Sequence, residues 1–220
     1  VIKAETQLAS PVALNTSPLF LLANRTQERK YRKNALLVDL PSIKVRCSGE
    51  ELRRDEFDYF LELVDLSSKS YGHSFRVSLP ELLRRTGRVD GGSMRKVLME
   101  SLLRMCQTAV RIEKHYMLTQ TTEEIYHYDF HLIDSVTYSS IRKPPETEEI
   151  PSTEVLIRLN PKIVKFFENS QYALLNREYR NSIKPPLAKL IYDIIKTEKS
   201  GSQLIRLDRI AKICCLKNDS

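Results

Sequence analysis

Three histidines on one predicted hairpin, His115, His127 and His131, have side chains that can bind a metal ion. Alternate residues of a strand share a face, so His127 and His131 lie on the same side, as zinc ligands require. Because no cysteine or suitably spaced carboxylate completes the set, we predict no metal site there. The sequence also has no glycine-rich phosphate loop and no G-x-S-x-G or H-E-x-x-H motif. We therefore predict a protein that is not an enzyme and has no cofactor.

Basic side chains around two predicted helices are better candidates for function. They are Arg84, Arg85 and Arg88 in the first helix and its turn, and Arg95, Lys96 and Arg104 on the second helix, off its apolar stripe. In a helix-turn-helix the second helix enters the major groove, while flanking arginines and lysines contact phosphates. These residues therefore predict a DNA-binding surface, the alternative being a protein-docking module of the same fold. Another basic run, from Arg25 to Lys33, is either a solvated face or a second phosphate contact.

Hydrophobic periodicity predicts the elements that position these side chains. A helix that begins near Glu51 carries the apolar stripe Phe57, Phe60, Leu61 and Val64. A short strand at 75–77 then leads to Ser78, which can cap a second helix that Gly87 ends. These two helices flank a strand, which is how a winged helix begins.

A third helix and a hairpin complete that predicted domain. Ser93 opens the helix, whose apolar stripe is Met94, Leu98, Leu102 and Met105 or Cys106. Two β-rich runs follow, 109–118 and 124–138, and the polar turn between them predicts a β-hairpin that serves as the wing. Two helices joined by a glycine-bearing turn and followed by a hairpin indicate a winged helix-turn-helix.

The second half of the chain repeats part of the first. Leu187, Leu190, Ile191 and Ile194 reproduce the first helical stripe, chance likeness between amphipathic helices being the alternative. Prolines and glutamates between Arg142 and Thr153 have the composition of a linker. The sequence therefore predicts an α+β fold of two tandem winged-helix domains. Its parts are a flexible leader over 1–14, a first domain over 15–141, a linker over 142–153 and a second domain over 154–220 that stops before its recognition helix.

Composition limits the classes of protein to consider. The 220 residues carry a formal net charge of +7, which favours polyanionic partners. No window approaches the roughly 20 apolar residues of a membrane helix, and no targeting peptide is visible. The four cysteines, at 47, 106, 214 and 215, match neither a zinc pair nor a disulfide framework, so we expect a reducing cytoplasm.

Several short phrases, in a fixed order, resemble the TrfA family of plasmid replication initiators. They are SPLF at 17–20, SGEELR at 48–53, the strand-helix phrase at 75–87, VLI at 155–157 and YR at 179–180. The similarity runs from about Ser10 to the end of the chain. It implies a fold of the RepE type, with two winged-helix domains.

The resemblance also implies a function. Such initiators bind repeated DNA sites, called iterons, at a plasmid origin, help to open the adjacent duplex and recruit the host initiator and helicase. The C-terminal domain supplies most of the base readout, which places Arg209, Lys212 and Lys217 near DNA, and the N-terminal domain adds backbone contacts and dimerisation. The TrfA family also has a Gln-Leu-rich motif that binds the sliding clamp, with a partial match at 7–9.

Two other functions fit the same residues. One is a transcriptional repressor of similar fold, and the other is a winged-helix module that binds only protein. Binding to duplex DNA separates the last from the others, and strand opening beside the binding sites separates an initiator from a repressor.

Overall fold

The computed structural model describes residues 7–11, 18–23, 27–40, 43–70, 73–119, 121–141, 150–151, 153–163 and 172–197. The helices are α1 (Arg54–Ser68), α2 (Leu79–Arg85), α3 (Gly92–Gln107), α4 (Arg177–Ser182) and α5 (Pro186–Thr197). The strands are β1 (Gln7–Pro11), β2 (Phe20–Leu21), β3 (Tyr31–Leu40), β4 (Ile43–Glu50), β5 (Leu52–Arg53), β6 (Ser74–Ser78), β7 (Ala109–Met117), β8 (Glu123–His131), β9 (Ile133–Thr137), β10 (Ser140–Ile141), β11 (Ile150–Pro151), β12 (Glu154–Leu159) and β13 (Tyr172–Asn176). The predicted mixture of helices and sheets is confirmed.

The first predicted helix, α1, is the central element of the fold. Its predicted apolar stripe is buried in the core, and two residues of that stripe, Phe57 and Phe60, pack on the ring of Phe20. The helix begins at Arg54, later than predicted, because Leu52 and Arg53 pair in parallel with β2. The Glu56 carboxylate accepts the Arg53 backbone N–H at 2.7 Å, which satisfies a donor at the helix start.

The helix-turn-helix elements form as predicted. The Ser78 hydroxyl accepts the Glu81 backbone N–H at 3.2 Å and caps α2. Gly87, at φ 72°, takes the left-handed conformation just past the helix end, where a Cβ would also lie 3.2 Å from Asn181. The third helix, α3, begins at Gly92, one residue before Ser93, and its predicted residues Leu98, Leu102 and Met105 are buried.

The predicted hairpin forms, but its second run divides between two sheets. Strands β7 and β8 pair from Ala109 with His131 to Met117 with Glu123, and they join β3 and β4 in the order β3-β4-β7-β8. The run then continues as β9, which belongs to the sheet β6-β12-β9. Leu132 and Ile133 are both fully buried, which a strand with one solvent face cannot achieve for consecutive residues. The chain therefore changes sheet at this point.

Strand β12 follows the predicted linker over 142–153. This strand, placed in the second domain by the sequence, pairs with β6 on one side and β9 on the other. Val155, Ile157 and Leu159 of this strand enter the same core as α1. Proline and glutamate indicate a loop, but they do not tell whether the loop joins two domains or two strands of one sheet. The division into two domains at 142–153 stays a prediction.

The predicted flexible leader contains a strand. Residues 7–11 form β1, which pairs antiparallel with β13 and buries Leu8 and Ser10. A segment whose pairing partner is so distant in sequence has no local signal, which is why its polar composition indicated a leader. The helix α5 places Leu190 and Ile194 of the predicted repeat in the interior, while Leu187 is exposed. The rest of that repeat, beyond Thr197, lies outside the described residues.

Truncation of the α1 and α3 stripes tests this core. We expect Phe60→Ala and Leu102→Ala each to lower the free energy of unfolding by about 2–5 kcal/mol, because each removes a fully buried side chain. Urea denaturation measures the change, and Val89→Ala, at an exposed position, is the matched control. A loss below 1 kcal/mol in both core variants would contradict the assignment of these helices to the core.

Candidate nucleic-acid interface

Six of the predicted DNA-binding residues lie on or beside the helices α2 and α3. One side of α3 packs in the core, and its opposite side is exposed along Ser93, Lys96, Val97 and Glu100. Arg84, at the end of α2, is also exposed and forms no ion pair within the described residues. Of the predicted DNA-binding residues, Arg84 and Lys96 are therefore the most exposed in the described part of the chain.

Arg95 is held by the turn before α3. Its Nε and Nη2 atoms donate to the two carboxylate oxygens of Asp90 at 2.7 and 2.5 Å. This hydrogen bond lowers the pKa of Asp90 and raises that of Arg95. The pair is exposed, so it orients the guanidinium and contributes little to stability.

Arg85 instead pairs with carboxylates of α1. Its Nε donates to Glu62 at 2.9 Å and its Nη2 donates to Asp65 at 2.5 Å. Arg177 of α4 contacts the same two carboxylates, at 2.9 and 2.7 Å. Burial raises the pKa of Glu62 even though two guanidinium groups favour its ionised form. These contacts join α2 and α4 through one face of α1.

Arg88 also pairs inward. Its Nη2 lies 2.7 Å from an oxygen of Asp55 and 3.1 Å from an oxygen of Asp58, and its guanidinium carbon lies 4.6 Å from the Tyr59 ring centroid. Asp58 additionally accepts from Arg180 at 2.7 Å and from Lys189 at 3.3 Å. Burial opposes ionisation of Asp58, but these three cations outweigh it and lower its pKa to about 2.

Arg104 ties α3 to α1. Its Nε lies 2.5 Å from Glu50 and its Nη1 lies 2.7 Å from the fully buried Glu56. Arg29 also contacts Glu56, at 2.8 Å, and the Ser101 hydroxyl donates to it at 3.1 Å. With the Arg53 backbone N–H, the Glu56 carboxylate thus accepts from four groups.

A second buried carboxylate links α4 and α5 to the start of α1. Asp193 of α5 has no exposed surface, and it accepts from Arg180 Nε and Nη2 at 2.8 Å. Arg54, the first residue of α1, also donates to Asp193. Since Arg180 bridges Asp58 and Asp193, the segment over 177–197 is anchored to α1 by a continuous ion-pair network.

A cleft of about 680 Å³ opens beside this network. The exposed side of α3, the start of α1 and the segment over 181–189 line it. Its charged lining residues are Arg29, Arg53, Arg54, Arg88, Arg104, Lys184 and Lys189, against Asp55, Asp58 and Glu100. Cations outnumber acids, so the cleft favours anions.

Comparison with known proteins identifies the family. Residues 57–210, more than half of the chain, match the family described as Replication initiator protein A. The chain belongs to this family. The narrower membership in the TrfA type stays a prediction. No curated protein matches this initiator.

Two solved structures are similar to the initiator in fold. A structure of domains 2 and 3 of RctB, from selenomethionine derivatives, has a TM-score of 0.62 at 14% identity, with 93% of this chain and 77% of that chain covered. A second structure of RctB domains 2–3 has a TM-score of 0.57 at 13% identity, with 87% and 70% covered. At such identities the likeness shows the fold alone.

The predicted site residues of the initiator therefore separate into groups. Arg84 and Lys96 are exposed, Arg95 pairs with a turn carboxylate, and Arg85, Arg88 and Arg104 pair with acids of the interior. Arg209, Lys212 and Lys217 lie outside the described residues. The sequence did not predict that Arg85, Arg88 and Arg104 pair internally. This pairing depends on the acids of α1, which look like a solvated face in sequence. The available signal in the sequence was the large number of acids on a helix that also carries a wide apolar stripe. These acids are Asp55, Glu56, Asp58, Glu62 and Asp65.

The other predicted positions are also placed. In the basic run, Arg29 pairs with Glu56 and Arg32 lies 3.5 Å from Glu51, while Lys30 and Lys33 are exposed. His115 lies 2.8 Å from Glu123 on the β7–β8 hairpin. The described part of the initiator contains no group of three or more histidine, cysteine, aspartate or glutamate side chains that could hold a metal ion. Nor is any described helix long and apolar enough to cross a membrane.

Replacement of Arg180 tests the ion-pair network. We expect Arg180→Met to lower the free energy of unfolding by about 3–5 kcal/mol, because it leaves Asp58 and Asp193 buried with too few partners. Chemical denaturation measures the change. The control, Arg84→Met at an exposed position, should shift it by less than about 0.5 kcal/mol. Equal effects of the two substitutions would show that the network adds nothing beyond surface charge.

The depressed pKa of Asp58 predicts a pH dependence of stability. Its value is about 2 in the folded protein against an ordinary 3.8, so its stabilisation is complete above about pH 4 and is lost as the pH falls toward 2. Between pH 4 and pH 2, the free energy of unfolding of the parent protein should fall by about 2 kcal/mol more than that of Asp58→Asn. Urea denaturation at each pH measures the free energy of unfolding of both proteins. Asp39→Asn, at an exposed position, should keep the parent's pH slope, and parallel slopes for Asp58→Asn would contradict the prediction.

Proposed function

We propose that this initiator is a non-enzymatic protein that binds iteron repeats in duplex DNA at a plasmid origin, in the bacterial cytoplasm. The exposed face of α3 carries this proposal. A helix that follows a short helix and a turn, with one side in the core and the other side polar, has the form of a recognition helix. Membership in a replication initiator family supports the same function.

The order of elements supports a winged helix for this part of the chain. Helix α1, strand β6 and helices α2 and α3 are followed by β9 and β12, and the sheet order β6-β12-β9 places the last strand in the middle. In this arrangement the wing is the hairpin of β9 and β12, extended by the β10–β11 pair. The β7–β8 hairpin, predicted as the wing, is then an insertion that extends the other sheet.

Exposed and internal basic residues have different roles in this proposal. Arg84 and Lys96 contact phosphates or bases directly, and Arg95 contributes to the start of α3 through its pair with Asp90. Arg85, Arg88 and Arg104 act indirectly, since they hold α2 and α3 on α1. A second winged-helix domain reads bases, with Arg209, Lys212 and Lys217 near DNA.

The proposed partners are those that the resemblance to the TrfA family implies. They are the host initiator and helicase, the sliding clamp and a second copy of the initiator. Bound protein is expected to open the duplex beside the iterons through binding energy and DNA deformation. The alternative, a repressor of the same fold, would bind DNA without opening it. Permanganate reactivity of thymines in an adjacent AT-rich segment distinguishes the two functions.

Substitutions on the exposed face test DNA binding. We expect Lys96→Ala and Arg84→Ala each to weaken binding to an origin duplex and to reduce the slope of log K against log salt by about 1, because each removes one phosphate contact. Fluorescence anisotropy over a salt series measures both quantities. Lys69→Ala, an exposed lysine just after α1, is the control and should change neither. If all three variants match the parent, α3 does not face DNA and the protein-docking function is favoured.

A further inference from the structure

The cleft between α3 and the segment over 181–189 has the form of a ligand site. Its volume, about 680 Å³, lies within the range of small-molecule sites in proteins. Val97 and Glu100 of α3 form one side, Arg53 and Arg54 lie at the start of α1, and Lys184 precedes α5. A ligand bound here would contact three separate parts of the chain at once.

One arginine of the cleft keeps an unused donor. Arg88 uses its Nη2 atom for both Asp55 and Asp58. Its other terminal nitrogen, Nη1, is buried and has no hydrogen-bond partner among the described residues. Because Nη1 has almost no accessible surface, a ligand in the cleft meets the positive charge of this guanidinium and not this donor.

The electrostatic field of the cleft favours an anion. Burial lowers the pKa of Arg53, and the nearby charges of Arg29 and Arg104 lower it further, against the opposing effect of Glu56 and Glu51. Both α1 and α5 begin at the cleft, and helix N-termini carry partial positive charge. Cationic side chains and helix dipoles thus act in the same direction.

We propose that this cleft binds a phosphate-bearing anion. No aromatic ring lines the cleft in the described part of the chain, so nothing there stacks on a base, and arginine side chains suit phosphate oxygens. The phosphate groups come either from a free polyphosphate or from consecutive phosphates of a DNA backbone. The inference goes beyond the proposed function, because a small anion would bind here whether or not α3 contacts DNA. Binding links α1, α3 and the start of α5, and so stabilises their relative positions.

Calorimetric titration of the full chain with pyrophosphate, at constant ionic strength, tests the site. We expect saturable binding that is about fivefold weaker in Lys184→Gln and about fivefold tighter in Glu100→Gln, since the two changes have opposite signs of charge. Both residues are exposed, so neither substitution should unfold the protein. Lys33→Gln removes the same charge as Lys184→Gln at a residue that does not line the cleft, and it should bind pyrophosphate as the parent does.

Competition with duplex DNA identifies the source of the phosphates. Displacement of pyrophosphate by a duplex supports the DNA backbone as the ligand, and simultaneous binding of both supports a free polyphosphate. Absence of saturable binding overturns the proposal, as does an equal loss of affinity in Lys184→Gln and Lys33→Gln. The Lys96→Ala variant separates this inference from the proposed function, because it should lose DNA affinity and retain pyrophosphate affinity.

Discussion

Ion pairs between the carboxylates of α1 and arginines of α2, α3 and α4 are the interaction on which the rest of the structure depends. Glu56, Asp58 and Glu62 are almost completely buried, although each is ionisable. A buried carboxylate is costly unless cations and donors compensate it, and removal of one partner leaves the other charge unsatisfied in a medium of low dielectric constant. The helix can therefore occupy the centre of the fold only when several distant segments supply guanidinium groups together.

That constraint positions the candidate interface. Arg104 of α3 pairs with Glu56, and Arg85 of α2 pairs with Glu62. Ion pairs as well as apolar packing therefore hold α2 and α3 on α1. Arg180 forms ion pairs with Asp58 and with Asp193 of α5. The same helix thus sets the position of the exposed face of α3 and of the segment after β13. Rigid support of this kind keeps surface side chains in a fixed geometry, which the proposed contacts with a duplex require.

The network also leaves an excess of positive charge on one side. Several cations that line the cleft beside α3 also pair with acids of α1 and α5, and the lining itself has more cations than acids. The same basic side chains therefore hold the interior together and give the cleft its positive lining. This distribution, and not the total charge, connects the basic composition of the chain with the proposed phosphate binding.

Local signals in the sequence by themselves determined the elements around α1: the stripes of α1 and α3, the Ser78 cap, the end of α2 at Gly87 and the pairing of β7 with β8. Each depends on periodicity or capping within a few residues, and phrase order also indicated a replication initiator. Only the tertiary structure decided that β1 pairs with β13, that β12 completes the sheet of β6 and β9, and that Arg85, Arg88 and Arg104 face inward. These features join residues far apart in the chain. An arginine has the same local pattern whether its partner is a phosphate or a carboxylate brought close by folding, so its role depends on long-range contacts that local spacing does not encode.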